Sequence, residues 1–531
     1  MLHDSNPEAK PKIFMYSMKA SRIKFRVQIE FNVGQFAVVE CRKAADLEIR
    51  RKAKAWLNLP QRASAEVVYL PPKRGGCGLL PLADLADVLS VAHVFRMLTA
   101  GDATVRTLAW ASLRGVVARR IGGPPTNEDI AAFLSGLQEG RLREGGERSL
   151  WSTARNAARR QSERLSLRWG WCEATEELIV GCRRPGGDAV KVPPGARNQV
   201  VTRLRSAVAA FYAGTLLRKP DQGKVFEVSS RAGVSNHYVR GGSFTRFADW
   251  RFIHRARLDV LPLNGARRWG EADRRCRRCG AAAETLPHVL GHCGVHSAAI
   301  QLRHDTVLHR LWKACRMPGE KRVNRRVEGM EGELGELRPD LVVWHERSKC
   351  VVICDVTIPF ENRWVSFDEA RARKVAKYSP LAEELQRRGY RVVVTAFVVG
   401  ALGSWDPRNE AVLRVLRIGN AYASMMRRLM VSDTIRWSRD IYVEHVSGVR
   451  HKHLAISVRT DLADWADYRH TVPLTDRLCP WFESRLNISD FVDRLCPWFE
   501  SKLNISDFVD RLCPWFESRL NISNFVDRLC P

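Results

Sequence analysis

Apolar positions recur at helical spacing through the middle of the chain. The runs Leu82 to Leu98, Asn127 to Leu137 and Val200 to Leu217 each repeat at three and four residues and predict helices. Residues 82–260 therefore read as mostly helical, with linkers rich in Gly, Pro and charge at 119–126, 183–196 and 218–224. Upstream, a basic helical pattern from Leu47 to Leu59 stops at Pro60. Val67-Val68-Tyr69-Leu70 then reads as a short strand before Pro71-Pro72. Arg74-Gly75-Gly76-Cys77-Gly78-Leu79 lacks the Lys-Ser/Thr ending of a P-loop, so it reads as a turn ahead of a helix opening after Pro81. The period changes over 336–400, which spell strand, strand, helix, strand: an α/β unit. Its strands are Leu341 to Trp344 and Cys350 to Ile353, the second running into Asp355-Val356-Thr357. Ser366 and Glu369 predict a capping box for its helix, Gly389 follows the last turn, and Pro380 is expected to kink or split it. Residues 1–45 have strand-like patches over Val27 to Glu40 but no assignable element. Residues 476–531 repeat with a period of 17 and stop in mid-repeat, which predicts a poorly ordered tail from duplicated coding sequence, with a chance glycosylation sequon at Asn487-Ile488-Ser489.

Length and composition narrow the class. The 531 residues allow two to four domains, and 45% hydrophobic with 27% charged residues suits folded soluble protein. The polar start Met1 to Lys10 lacks a signal-peptide core, and no apolar run approaches the roughly 18–20 residues that cross a bilayer. An intracellular protein without a membrane partner is expected. The net charge of +28, dominated by Arg, calls for a polyanion, with nucleic acid the first candidate and a merely basic surface the alternative. Arg residues across 143–168 form either a basic face or a solvated helix surface. Of the 14 cysteines, Cys479, Cys496, Cys513 and Cys530 belong to the repeats and three others gather beside a histidine, which points to reduced thiols and a metal site rather than a disulfide framework.

That metal site is Cys276-Arg277-Arg278-Cys279 followed by His288 and Cys293. The C-x-x-C turn sets two thiolates on one side of an ion, and His288 and Cys293 close a tetrahedron suited to Zn²⁺. With no ligand position left for water, the zinc would be structural; the alternative is four unlinked residues, with His292 and His296 as spare ligands. Arg267, Arg268, Arg274, Arg275, Arg277 and Arg278 around it suggest a nucleic-acid clamp.

The second constellation lies in the α/β unit. Asp340 opens one strand, Asp355 closes the next, Glu361 follows, and the helix sets Lys374, Lys377 and Tyr378 on one face. Hydrolysing a phosphodiester requires a metal that activates water, and Mg²⁺ prefers carboxylate oxygens. Asp340 and Asp355 are the expected Mg²⁺ ligands and Glu361 a weaker third. A lysine beside them can stabilise developing charge; Lys374 is read as catalytic, Lys377 as support, and Tyr378 as a nucleic-acid contact. The alternatives are ordinary strand-end carboxylates, a Glu361–Arg363 pair and a solvated lysine face.

The order of parts resembles the C-terminal half of the Pol protein of site-specific non-LTR retrotransposons that carry a restriction-like endonuclease. The residues that carry the resemblance begin with Ala55-Trp56-Leu57-Asn58-Leu59-Pro60, Gly75-Gly76-Cys77-Gly78-Leu79 and Phe252 to Leu258. They continue with the Cys276–Cys293 knuckle, Arg303-His304-Asp305, Arg338-Pro339-Asp340, Asp355-Val356-Thr357, Lys374 to Pro380 and Val399 to Trp405. The resemblance implies a multidomain chain: a mainly α-helical thumb and linker region, a small CCHC zinc knuckle, an α/β restriction-like PD-(D/E)xK endonuclease domain and the repeat tail. The boundaries are 1–45 unassigned, 46–100 thumb end and linker start, 101–265 basic helical linker, 266–300 knuckle, 301–335 connector, 336–430 endonuclease, 431–475 extension and 476–531 repeats. It implies that Asp340 and Asp355 match the family's metal carboxylates, that Thr357 stands where the usual Lys would be, and that a migrated Lys falls at Lys374 or Lys377. The implied activity is nicking of target DNA to prime reverse transcription of the element's RNA in the nucleus. The sequence has no Asp-Asp dipeptide, so the Tyr-x-Asp-Asp polymerase site is missing, and a fragment or truncated copy without polymerase activity is expected. A catalytically dead zinc-knuckle binder and a decayed element are the competing readings.

Overall fold

The computed structural model describes residues 39–449, apart from positions within 140–147, 173–176, 184–188 and 267–272 and residue 241. The expectations for residues 1–38, for 450–475, for the repeats at 476–531 and for Arg267 and Arg268 fall outside the described residues.

The strongest helical periods become helices at Leu82–Leu98, Asn127–Leu134 and Val200–Leu217. With Ala103–Ile121 and Leu150–Leu165 they enclose one apolar cluster built on Val91, Phe95, Leu113, Phe133, Trp151 and Leu204. Three arginines of the predicted basic stretch at 143–168 are tied to this body. Arg155 is buried and donates to the carbonyls of Phe133 and Leu142, both at 2.9 Å. Arg160 and Arg164 pair with the buried carboxylates Asp87 (2.6 Å) and Asp84 (2.8 Å) on the facing helix.

A three-stranded antiparallel sheet, β1 (Arg168–Cys172), β2 (Glu177–Arg183) and β3 (Ala189–Val192), closes this cluster where helix and linker were expected. Its alternating runs are only 4 to 7 residues long and interrupted by Gly and charge, too short for a period to stand out. The strand expected at Val67 to Leu70 is instead a short helix, Glu66–Tyr69. The glycine-rich segment folds back on it, Cys77 and Leu79 donating to the carbonyls of Val67 (3.3 Å) and Val68 (3.0 Å). A Cβ at Gly76 would lie 2.4 Å from the carbonyl oxygens of Val67 and Leu70, so only glycine permits that approach.

The second sheet runs β4 (Glu320–Val323), β5 (Leu341–His345), β6 (Cys350–Thr357) and β7 (Arg391–Val398), with β6 and β7 parallel and the other pairs antiparallel. Its edge strand comes from residues read as connector. Both faces of the central strands are covered, and the side chains alternate between them: Val342, Val351 and Ile353 pack under Tyr378, Leu381 and Leu385 of helix Val365–Arg387. Leu341, Val343, Val352, Cys354 and Val356 point into a larger core with Val307, Leu308 and Leu311 of helix Ser297–Ala314. That core continues through Phe252 and Ile253, Val289, Met430 and Ile435, so segments on both sides of 265, 300 and 335 pack as one body. Helix Val365–Arg387 is not split at Pro380. The expected capping box is absent: the helix starts two residues early, with Trp364 as its N-cap, Ser366 Oγ donates to the carbonyls of Arg363 (2.8 Å) and Phe360 (3.1 Å), and Glu227 accepts from Trp364 N at 3.1 Å. Among the described residues no helix is long and apolar enough to cross a membrane.

Helix Phe247–Arg257 stitches these parts together. Buried Arg257 donates to Leu402 O (2.8 Å), Ser235 O (2.9 Å) and Asn236 Oδ1 (2.6 Å). Beside it the His254 ring lies 4.5 Å from Trp250, and its Nε2 has no hydrogen-bond partner among the described residues. Burial first, then the Arg257 charge, push His254 down to about 3; burial and Arg428 push His237 to about 4. Both stay neutral when folded but protonate near 6.5 when unfolded, so stability is full above about pH 6.5 and falls with pH toward 4. Each contributes a slope of up to about 1.4 kcal/mol per pH unit. In urea titrations from pH 7 to 4, His254→Phe should flatten the acid limb by up to one proton; an unchanged limb would refute a neutral buried His254.

Candidate metal centre and acidic pair

The knuckle segment is organised by its own backbone. Cys276 N donates to Ala282 O (2.8 Å), Gly280 N returns to Cys276 O (2.8 Å), and Gly280 takes a φ of +66°. Thr285 caps helix Leu286–Gly291, which carries His288, and Cys293 N donates to His288 O at 2.8 Å. The result brings all four predicted ligands together, with Sγ and ring-nitrogen atoms mutually within 4.8 Å. Cys276 Sγ and Cys293 Sγ are 3.9 Å apart, and Cys279 Sγ is 3.3 Å from His288 Nε2. A tetrahedron with Zn–S of about 2.3 Å has sulfur–sulfur edges of about 3.8 Å, so the donor set fits a metal such as zinc. Backbone N–H of Ala281, then Cys276 and His288, lower the Cys279 thiol to about 6; burial drives Cys293 up to about 11.

The arginines around the cluster correct the expected clamp. Arg277 turns inward, its Nε 2.6 Å and Nη2 2.8 Å from the buried Glu284 carboxylate, which also receives Asn264 N and His445 Nε2. Burial would raise Glu284, but Arg277 and these N–H donors outweigh it and hold the carboxyl at about 2. Arg278 donates to His445 O (2.6 Å) and Val446 O (3.3 Å), covering the last carbonyls of helix Asn420–Ser447. Arg277 and Arg278 thus fasten the knuckle to the protein. Arg274 and Arg275 are exposed, and Arg275 pairs with Asp273 at 3.1 Å.

In the α/β unit, the β5–β6 register continued by one residue sets Asp340 opposite Asp355. Asp340 N lies 3.4 Å from Asp355 Oδ1, and Asp340 Oδ2 accepts from Val356 N at 2.7 Å. Lys374 Nζ comes down from the helix to 2.5 Å from Asp355 Oδ2. Burial and the neighbouring Asp340 charge raise Asp355; burial opposes, but His304 and Val356 N outweigh it and lower Asp340. The histidine is the residue whose role the sequence did not disclose. His304 Nε2 lies 3.0 Å from Asp340 Oδ2 and 3.2 Å from Val356 O, reaching over from helix Ser297–Ala314. Its motif, Arg303-His304-Asp305, was visible, but nothing in spacing tied it to a strand 36 residues on. Arg303 itself is buried and bonds Leu290 O and Ser438 Oγ.

Of the other expected site residues, Glu361 lies elsewhere and two take places beside the pair that differ from those expected. Glu361 is fully buried and accepts from the backbone N–H groups of Leu402 (2.9 Å) and Ser404 (3.1 Å), shaping the Gly400–Trp405 loop. It does not pair with Arg363, which binds Glu227 at 2.7 Å. Tyr378 is 1% exposed and donates to Arg338 O at 3.1 Å, and its hydroxyl also lies beside Asp355, so it packs in the core beneath the acidic pair. Lys377 Nζ sits 5.0 Å from the Tyr378 ring centroid, while Lys374 is the lysine at the pair. Among the described residues, the groups of three or more metal-ligand side chains all contain the knuckle cysteines; the aspartates make a two-carboxylate site.

The structure thus combines a Cys₃His cluster with an α/β sheet that carries paired strand-end aspartates. No protein-family model matches it. Over 222 residues it is 33% identical to a Popillia japonica protein named Retrovirus-related Pol polyprotein from type-1 retrotransposable element R2, covering 40% of this chain and 44% of that protein. A second protein of that name and organism is 25% identical over 206 residues, 36% of this chain and 43% of its own length. An uncharacterized Caenorhabditis elegans protein is 26% identical over 246 residues, 43% of this chain and 67% of that protein. The chain spans less than half the length of the two Pol relatives. Over part of its length the chain is thus similar to Pol polyproteins of type-1 retrotransposable elements R2.

Proposed function

We propose that the chain is a retrotransposon Pol-derived enzyme whose α/β unit is a Mg²⁺-dependent, restriction-like DNA endonuclease. The observation that carries this reading is Asp340 beside Asp355 at neighbouring strand ends, with Lys374 Nζ 2.5 Å from Asp355. Two carboxylates suit Mg²⁺, which is commonly held by one or two carboxylates plus substrate phosphate and water. Asp340 and Asp355 would hold the ion, whose chemistry is to acidify water and polarise the phosphate. His304 and Val356 N fix Asp340 by its Oδ2, leaving the other oxygen for ligation. Lys374 offsets the Asp355 charge and is placed to neutralise charge developing on a phosphate oxygen. Cys276, Cys279, His288 and Cys293 would hold Zn²⁺ in a structural role. The partners are target DNA, nicked on one strand to expose a priming 3′ hydroxyl, and the element's RNA; both place the protein in the nucleus. The test is incubation with supercoiled plasmid: open-circular product should form in Mg²⁺ and vanish in EDTA. No nicking in either Mg²⁺ or Mn²⁺ would replace this reading with that of a zinc-knuckle binding module.

A further inference from the structure

Among the described residues, the sheet β1–β3 buries one face in the core and leaves the other partly open. Trp169, Leu178, Val180, Cys182 and Val192 enter the core. The opposite face carries Gly170, Ile179 and Gly181 as a floor, with Arg168, Arg183 and Lys191 exposed around its Gly181 end and the exposed Glu177 at the other end of β2. Glycine inside a strand weakens it and otherwise marks a bulge, a bend or a close approach by another group. Neither glycine has a positive φ, and a Cβ at Gly170 would meet nothing within 4 Å. At Gly181 it would meet only the carbonyls of Val190 (3.8 Å) and Arg168 (3.9 Å), ordinary contact distances. Neither backbone conformation nor internal packing therefore asks for glycine at either position.

The charges lie in register with this floor. Gly181 pairs with Arg168 on β1 and Lys191 on β3, so two cations flank it across the sheet, with Arg183 opposite Ala189 beyond. Strand spacing puts the Arg168 and Lys191 backbones roughly 9–10 Å apart. None of the three cationic side chains has a hydrogen bond or ion pair within the described residues, unlike the arginines of the neighbouring helices.

We propose that this face binds a single nucleic-acid strand through its phosphate backbone. The glycine floor admits the sugar–phosphate chain closely, and Arg168, Arg183 and Lys191 neutralise its phosphates. The face offers no exposed aromatic ring for stacking, so the contact is independent of base sequence. A duplex is too broad for the floor and would rest on its rims. This inference rests on the reading of the chain as a nucleic-acid enzyme and adds where a strand is held apart from the aspartates.

The test is fluorescence anisotropy of the full chain with dT or U oligonucleotides of about 20 residues over a salt series. Each phosphate contact on a single strand contributes about 0.7 to the salt slope, so Arg168→Gln/Arg183→Gln/Lys191→Gln should lower it by about 2 and weaken binding roughly tenfold or more. Gly181→Val keeps every charge, suits a strand and meets only ordinary contacts; it should weaken binding with an unchanged melting temperature. Wild-type binding with both variants equally tight would overturn the assignment of this face while leaving the nucleic-acid reading intact. Wild type that binds no oligonucleotide would sink both. Equal losses on a duplex would refute the single-strand assignment.

Discussion

Treatment with a strong chelator is expected to unfold the Cys276–Cys293 segment and lower the melting midpoint of the chain by ~10 °C or more. Three thiols and an imidazole converge within 4.8 Å, an arrangement that a bound cation would hold together. Structural zinc supplies roughly 10–16 kcal/mol to isolated zinc-finger peptides, comparable to the whole stability of a typical domain. The loss should spread because the segment is bolted to its neighbours. Glu284 meets His445 Nε2 at 2.9 Å, His296 Nε2 meets His445 Nδ1 at 3.0 Å, and Arg278 covers the end of helix Asn420–Ser447. Amide exchange at the end of that helix should accelerate with chelation, and Cys276→Ser should reproduce the effect. One zinc per chain by mass under native conditions is the companion measurement. A metal-free preparation that melts at the same temperature with or without chelator would exclude a structural metal.

What the sequence disclosed and what it withheld follow from how far each interaction reaches. The four knuckle ligands lie within 18 residues, so a local turn and one helical turn determine their convergence, and the spacing displays it. Asp340 and Asp355 sit on adjacent strands joined by a short turn, again a local relation. Helices with long clean periods, such as Leu82–Leu98, emerged with the expected ends. The failures are non-local. Arg277 and Arg278 look like any basic surface pair until Glu284 and the C-terminal helix are folded against them. Tyr378 shares a helix face with the lysines, but its ring lies beneath them in the sheet core. Glu361 follows the second aspartate closely, yet its carboxylate is consumed by loop N–H groups about 40 residues later. His304 required a helix from outside the expected α/β segment to cross the strand ends. The sheet β1–β3 was missed for a local reason: its alternating runs are only 4 to 7 residues long, too short for the period to stand out.

Replacing Asp355 with alanine is expected to reduce Mg²⁺-dependent nicking below detection while leaving folding and nucleic-acid binding nearly intact. Asp355 is 1% exposed at the end of β6, and burial beside Asp340 makes its charge unfavourable in the folded chain without a cation. Removing it relieves that repulsion, while Asp340 keeps its bonds to Val356 N and His304. Lys374 loses its partner, but its side chain is 31% exposed and can turn to water, so no charge is stranded in the core. Loss of cleavage would then report lost metal ligation rather than unfolding, and an unchanged melting temperature would verify it. The two lysines divide by geometry. Lys374→Ala should lower the nicking rate by about 10²–10³, the scale of losing one group that stabilises transition-state charge. Lys377→Ala removes a cation resting on the Tyr378 ring, a contact worth about 0.5–1 kcal/mol at an exposed site, and should act mainly through phosphate affinity. Single-turnover nicking separates these effects, since a binding defect is overcome at saturating protein and a chemical defect is not. Asp355→Ala nicking as fast as wild type would end the endonuclease assignment. A Lys377→Ala defect that exceeds that of Lys374→Ala at saturation would overturn the role given to Lys374.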